Sequence, residues 1–147
     1  MSVLTLKERN YNSGATFMTN FEKVKEFMTM MGQEIKPEPE LPRSLGTLEL
    51  RLALIDEEFG ELREAIINDD IIEAADGLAD ILYVVYGAAA AFGIDIDDVF
   101  DEVHDSNMSK LGEDNKPIYN DQGKVMKGPR YFRPNIARVL QDQELLV

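Results

Sequence analysis

Two groups of carboxylates stand on neighbouring helical segments of the chain. Glu57 and Glu58 are followed by Glu61, and Asp76 is followed by Asp80. At 100° per residue, Glu58 and Glu61 share one sector of their helix, and Asp76 and Asp80 share one sector of theirs. Converging carboxylate oxygens are the ligands that Mg²⁺ and Mn²⁺ prefer. The pattern therefore predicts a divalent cation, Mg²⁺ with Mn²⁺ as a possible substitute, bound by several of these carboxylates.

Asp80 gives the strongest support for a bound cation, because it stands in a segment that is apolar nearly all round. A buried carboxylate without a partner costs several kcal/mol, so it needs a cation, a base or a proton. Between residues 56 and 105 the only base is Arg63. The alternative is that Asp76 and Asp80 bridge to a Lys or Arg of the first helix or the tail. For Glu64 and Glu73, both a solvated position and a ligand role remain open.

The distribution of charge points to the same chemistry. The formal net charge is -13, which excludes a protein that coats nucleic acid or an anionic membrane. Residues 56–105 hold sixteen acids and one base, whereas residues 107–138 hold seven bases and three acids. An acidic segment followed by a basic one can bind a cation and a polyanion together. The alternative is a solvated acidic surface with a basic tail folded back on it.

Composition further restricts the class of protein to which the chain can belong. The chain has 147 residues, of which 44% are hydrophobic and 29% charged, as in a soluble globular protein with one domain over residues 1–147. Cys is absent and there is one His, which excludes disulfides, thiolate catalysis and multi-His metal sites. No signal peptide is apparent, so a cytoplasmic protein is expected. The apolar segment 77–94 contains Asp80 and is interpreted as a buried helix.

Hydrophobic periodicity predicts the elements that position the carboxylates. Helices are expected over residues 16–33, 45–68, 71–92, from a cap at Asp95 or Asp97 to 111, and 135–141. The apolar stripe of the second helix consists of Leu48, Leu52, Ile55, Phe59, Leu62 and Ile66. Residues 1–15 are expected to be irregular, and residues 112–134 to form a basic loop with a small hairpin or ordered loop. The predicted fold is all-α, a four-helix bundle with a basic C-terminal arm.

These motifs resemble the all-α NTP pyrophosphohydrolases, a superfamily that includes MazG, dimeric dUTPases and phosphoribosyl-ATP pyrophosphohydrolase. The resemblance extends over about residues 45–138 and is greatest to the MazG-like, phosphoribosyl-ATP-pyrophosphohydrolase-like branch. Its residues are Glu57-Glu58-x-x-Glu61, Ala79-Asp80-Ile-Leu-Tyr83 and Asn107-Met-Ser-Lys110. There is one departure, because the family pattern on the second acidic helix is ExxD and Gly77 stands three residues before Asp80. Asp76 is taken to replace the missing ligand.

The resemblance implies hydrolysis of a nucleoside triphosphate between the α- and β-phosphates, giving a monophosphate and pyrophosphate. It implies that Mg²⁺ is held by Glu58, Glu61, Asp76 and Asp80. It also implies Glu57 as the general base, and a triphosphate approached by Asn107 and Lys110. A flexible basic loop with Lys124, Lys127 and Arg130 can close over the phosphates. A homodimer or homotetramer is also implied. Two alternatives stay open, a phosphoribosyl-ATP pyrophosphohydrolase of histidine biosynthesis and a non-enzymatic acidic helical binding module.

Overall fold

The computed structural model describes residues 17–144, which contain five helices and no strand. The helices are α1 (Asn20–Met30), α2 (Leu45–Ile67), α3 (Ile71–Ala91), α4 (Ile96–Met108) and α5 (Ile136–Glu144). The prediction of an all-α fold is thereby confirmed for this part of the chain, while the bundle arrangement stays a prediction. The expectation for residues 1–15 lies outside the described residues. Within the described chain, residues 17–35 and 44–90 form one compact unit, and residues 36–43 and 91–144 form a second.

Helix α1 begins later than the periodicity predicts because a capping box fixes its start. The Thr19 side chain accepts a hydrogen bond from the Glu22 amide, and the Glu22 carboxylate accepts one from the Thr19 amide at 2.7 Å. The helix buries Phe21, Val24 and Met28. These three apolar side chains anchor α1 in the first unit.

Helix α1 runs antiparallel to α3. The Phe21 ring lies 6.1 Å from the Tyr86 ring, and the Phe27 ring lies 5.6 Å from the Tyr83 ring in an edge-to-face arrangement. Such aromatic pairs contribute about 0.5–1.5 kcal/mol beyond the area that they bury. The two ring pairs hold α1 against the part of α3 that contains Tyr83 and Tyr86.

Helices α2 and α3 lie side by side in antiparallel directions. A Cβ at the buried Gly77 would lie 3.2 Å from the Leu62 Cα atom, and a Cβ at Gly87 would lie 3.0 Å from the Arg51 Nη1 atom. Residue numbers therefore rise along α2 as they fall along α3. This register places the stretch around Glu58 opposite the stretch around Asp80.

The predicted apolar stripe of α2 divides in the structure. Leu48, Ile55 and Leu62 are half-buried. By contrast, Leu52, Phe59 and Ile66 are 63%, 51% and 64% exposed. The reason is that α3 lies against Arg51 and Leu62, so it covers the edge of the stripe nearer Leu62 and leaves the other edge open.

In the second unit, α5 is fastened to the start of α4. The Gln143 side chain accepts a hydrogen bond from the Asp95 amide and donates one to the Asp95 carbonyl, each at 3.0 Å. Arg138 forms a 3.2 Å ion pair with Glu102 of α4. These contacts explain why the last helix continues to Glu144, three residues beyond its predicted end.

Residues 117–126 form a compact turn rather than a ladder of strands. Tyr119 and Val125 make one isolated antiparallel bridge, and the Met126 amide donates to the Ile118 carbonyl at 2.7 Å. The Asn120 side chain accepts from the amides of Gln122 and Lys124, each at 2.9 Å. The basic loop is thus ordered around Asn120.

Among the described helices, none is by itself long and apolar enough to cross a membrane. Helices α3 and α4 taken together, with the break between them, have the length and apolar composition of a bent span.

Gly93 supplies a test of the second unit. Its φ is +68°, and a Cβ there would collide with the Glu38 carbonyl oxygen. Gly32 has the same φ with open space around it, so it is a matched control. We expect Gly32→Ala to cost about 1 kcal/mol of unfolding free energy, because only the left-handed backbone is strained. Gly93→Ala should cost at least about 2 kcal/mol, since the collision is added.

Urea unfolding followed by circular dichroism measures both changes. Equal losses in the two variants would show that the Glu38 carbonyl does not restrict the size of the residue at position 93.

Candidate metal centre

The facing stretches of α2 and α3 bring three carboxylates together. One carboxylate oxygen from each of Glu58, Glu61 and Asp80 lies within 4.8 Å of the other two. Glu58 and Asp80 are half-buried, whereas Glu61 is exposed. The acidic triad, as we call these three residues, therefore has an inner side within the helix pair and an outer side open to solvent.

Glu58 is the most constrained member of the acidic triad. Its Oε2 atom is buried and has no hydrogen-bond partner among the described residues. Burial first, and then the charges of Asp80, Glu61, Glu57 and Asp76, raise the pKa of the Glu58 carboxyl. A buried carboxylate oxygen surrounded by like charge is a site that a hard cation would satisfy.

The alternative, ion pairs to neighbouring bases, finds no support within residues 17–144. The ion pairs there join Glu40 to Lys36 and Arg43, and Glu102 to Arg138. The oxygen-only donor set of the acidic triad and its unpartnered atom fit a divalent cation of the Mg²⁺ type.

Asp76 lies outside the acidic triad. Its side chain is exposed, and its charge is the weakest of those that raise the pKa of Glu58. The structure thus places three of the four predicted ligands together and the fourth at their margin. The departure at Gly77 also has a physical reason. Since a Cβ there would lie only 3.2 Å from the Leu62 Cα atom, a Glu at this position would force the helices apart.

An acidic cleft of about 690 Å³ adjoins the acidic triad in the same unit. It is lined by Glu57, Gly60, Glu61, Glu64, Ala65, Asn68, Asp70 and Glu73. Glu57 and Glu61 face this cleft while Glu58 turns into the helix pair, as their angular separation on α2 requires. Glu64 and Glu73, left open by the sequence, share the cleft with the predicted general base.

The residues predicted to contact the triphosphate belong to the second unit. Lys110 donates a 2.9 Å hydrogen bond to the Asn107 side chain, so these two form one polar group. Arg130 donates to the Gly112 carbonyl at 3.0 Å and to the Asn115 side chain at 2.9 Å. In this structure Arg130 therefore orders its own loop.

Lys124 and Lys127 of the basic loop are exposed. The Lys127 ammonium lies 4.7 Å from the centre of the Tyr131 ring. The Lys124 backbone amide donates a hydrogen bond to the Asn120 side chain. Their contact with a triphosphate stays a prediction, as does that of Asn107 and Lys110.

Sequence reasoning missed Arg51. Its side chain is 7% exposed, and its Nε atom has no hydrogen-bond partner among the described residues. The Nη2 atom donates a long 3.3 Å bond to the Gln33 side chain. The signal that could have revealed it is an isolated base in an apolar stretch of α2, seven residues before Glu58 and on the same face.

Comparison with known proteins identifies the family. Residues 24–107 match the family described as phosphoribosyl-ATP pyrophosphohydrolase, which lies within the MazG-like superfamily of NTP pyrophosphohydrolases. Because the match spans more than half of the 147 residues, the chain belongs to this family. The resemblance inferred from the acidic motifs is thereby confirmed.

Two similar proteins show how far the likeness extends. An uncharacterised protein of Acanthamoeba polyphaga mimivirus is 41% identical over 85 residues, which make up 54% of this chain and 33% of the viral protein. The chain thus spans about a third of the length of that relative. The crystal structure of a candidate NTP pyrophosphohydrolase from Exiguobacterium sp. 255-15 is 21% identical, with a TM-score of 0.47. It covers 89% of this chain, which in turn covers 96% of it.

The raised pKa of Glu58 predicts the behaviour of the metal-free protein. A carboxyl whose pKa is higher in the folded state stabilises that state below its unfolded value, and this contribution is lost as the pH rises through the folded value. Glu58→Gln should therefore raise the melting temperature at a pH above the raised pKa of Glu58, because it removes the charge that burial and the neighbouring carboxylates disfavour. The gain should vanish in acid, where this carboxyl is protonated in both the folded and the unfolded state.

The same variant should bind Mg²⁺ about tenfold or more weakly, because it loses a charged oxygen ligand. Scanning calorimetry and Mg²⁺ titration measure the two effects. Glu49→Gln, an exposed position on the same helix, controls for the loss of one charge. If both variants change alike, Glu58 is not a distinctive member of the acidic triad.

Proposed function

We propose that the protein is a Mg²⁺-dependent nucleoside triphosphate pyrophosphohydrolase, which converts a (deoxy)nucleoside triphosphate to the monophosphate and pyrophosphate. The observation that carries the proposal is the acidic triad with its buried, unpartnered Glu58 oxygen. Membership in a pyrophosphohydrolase family supports the reaction class. Nothing in a purely solvated acidic surface would require a carboxylate oxygen to be buried among like charges.

In the first unit, different side chains would bind the metal and activate the water molecule. Glu58, Glu61 and Asp80 would hold the cation, with Asp76 at the margin as an outer ligand. When bound, Mg²⁺ offsets the charge of the phosphate oxygens and of the breaking bond. Glu57 faces the cleft beside Glu61, where its carboxylate can orient a water molecule and accept its proton.

The second unit would supply cationic contacts to the triphosphate. The Lys110 ammonium is held by Asn107, which lowers the entropy that it would lose on binding a phosphate. Lys124 and Lys127 are exposed on the ordered loop, and Arg130 would act by keeping that loop in shape. In this proposal Lys110, Lys124 and Lys127 are the candidate phosphate contacts.

A pyrophosphate-release screen over standard and modified (d)NTPs with Mg²⁺ tests the proposal directly. We expect monophosphate and pyrophosphate as the products, with no release when Mg²⁺ is chelated. Phosphoribosyl-ATP is included, since preferential turnover of this compound would assign the histidine-biosynthesis reaction instead. No turnover of any compound by metal-loaded protein would favour a non-enzymatic binding module.

Glu57→Gln separates the general base from the ligands. Since Glu57 would act on water rather than on the cation, kcat should fall about 10²–10⁴-fold while Mg²⁺ binding stays near that of the wild type. Steady-state kinetics and calorimetric titration measure the two quantities. A normal kcat would place the base elsewhere, and an equal loss of metal binding in Glu57→Gln and Glu58→Gln would make Glu57 a ligand.

We also propose that the protein works as a homo-oligomer, either a dimer or a tetramer. Exposed apolar residues follow the length of α2 at intervals of seven, at positions Leu45, Leu52, Phe59 and Ile66. Seven-residue spacing keeps a stripe on one helix face and suits pairing with another helix. A second copy of the chain would present the same stripe, so the contact would be self-complementary.

Leu52→Glu tests the oligomer, because a charge in the middle of the stripe would be desolvated on association. Light scattering after size exclusion should then report a smaller assembly than the wild type forms. Met30→Glu is the control, since Met30 is 79% exposed and lies off the stripe. An unchanged mass for Leu52→Glu, or a monomeric wild-type protein, would contradict the proposed contact.

A further inference from the structure

Arg51 is a buried cation without an anionic partner. Its side chain is 7% exposed, and within residues 17–144 it forms no ion pair. A guanidinium stays protonated and offers five donors, but the neutral Gln33 side chain takes one of them through a long 3.3 Å bond. Buried charges in proteins are normally paired, so the unused donors of Arg51 point to an acceptor-rich ligand.

The position of Arg51 relates it to the acidic triad. Arg51 precedes Glu58 by seven residues on α2, and Gly87, which faces Arg51, follows Asp80 by seven residues on α3. Seven residues bring each pair back to the same helix face, at a separation of roughly 10 Å along the axis. That separation is comparable with the length of a nucleoside.

Aromatic rings stand between the two sites along α3. Tyr83 lies between Asp80 and Gly87 in the chain, is 42% exposed, and meets the 39% exposed Phe27 edge-to-face. Half-exposed rings can stack with a planar heterocycle, which has a π-face whatever its substituents are. Along α3 the first unit thus presents the Asp80 carboxylate, then the Tyr83 ring, then the glycine that faces the Arg51 guanidinium.

From this order we propose that Arg51, held by Gln33 and by the close approach of Gly87, reads the nucleobase of the substrate. A guanidinium only donates hydrogen bonds, so it binds a base edge with an oxo group and repels one with an exocyclic amine. Arg51 is therefore the residue that makes the enzyme prefer oxo bases to amino bases. This inference rests on the proposed function, because it needs a triphosphate held at the acidic triad.

The test compares two pairs of nucleotides, each of which has one oxo base and one amino base. With the wild-type protein and Mg²⁺, kcat/KM for inosine and adenosine triphosphates, and for uridine and cytidine triphosphates, should favour the oxo base roughly ten- to hundredfold in at least one pair. Arg51→Met should bring that ratio to about one. Because both substrates meet the same preparation, the ratio does not depend on how much of the variant is folded.

Gly87→Ala tests the same idea without removing the charge. Its Cβ would lie 3.0 Å from the Arg51 Nη1 atom and displace the guanidinium, whereas Ala is well suited to a helix interior. The ratio should fall in this variant too, while Gly46→Ala, whose Cβ would make only an ordinary 3.7 Å contact with Ser44, should leave it unchanged. If Arg51→Met is not recovered as a folded protein, Gly87→Ala and Gln33→Leu decide the question.

Binding measurements separate this inference from the proposed function. Calorimetry with α,β-methylene analogues, which resist cleavage between those phosphates, should show the same oxo preference in the wild type and its loss in Arg51→Met. Turnover with no oxo preference, or a preference that survives Arg51→Met, would overturn the role of Arg51 and leave the hydrolase intact. Absence of turnover with every nucleotide would instead overturn the proposed function.

Discussion

The structure depends on a concentration of negative charge between two antiparallel helices. Glu58, Glu61 and Asp80 face one another across α2 and α3, and one Glu58 oxygen is buried without a partner. Mutual repulsion and desolvation both oppose this arrangement, so other contacts must hold it. Those contacts lie elsewhere in the same unit, in the buried apolar side chains of α1 and in the small residues Ala88–Ala90 of α3. Apolar packing thus stabilises a charge cluster that is unfavourable until a cation binds.

The close approach at Gly77 decides which residues can enter that cluster. A side chain at this position would meet the backbone of α2 at Leu62, so it is the glycine that lets the helices come close enough for Asp80 to face Glu58. The same closeness leaves no room for a ligand at the position where the family pattern has one. Asp76, one residue earlier, is exposed outside the acidic triad, and its charge contributes to the raised pKa of Glu58. At this point of α3, the close packing of the two helices therefore excludes a ligand from position 77.

The helices were predictable because their signals are local. Apolar periodicity, the stop at Asn68 and the cap at Asp95 place α2, α3 and α4 within a few residues of their bounds. What the sequence did not disclose depends on which helix packs where. Three residues of the α2 stripe are exposed because α3 occupies the neighbouring sector, and Arg51 is buried for the same reason. A periodic pattern fixes the faces of a helix, but only its partners decide which face is buried.

Electrostatics suggests an order of events at the proposed site. The chain carries a formal charge of -13, and the cleft beside the acidic triad is lined by five carboxylates. A triphosphate is itself a polyanion, so the metal-free cleft would repel it over distances up to about the Debye length of 8 Å at physiological salt. A divalent cation at the acidic triad weakens the negative potential there, and a cation already bound to the triphosphate weakens the repulsion in the same way. The buried Glu58 oxygen favours the first route, because that atom stays unsatisfied in the metal-free protein whether or not a nucleotide is near. On the proposed function, the protein would therefore bind its first cation before the nucleotide, and the nucleotide would meet a site whose negative charge has already been offset in part.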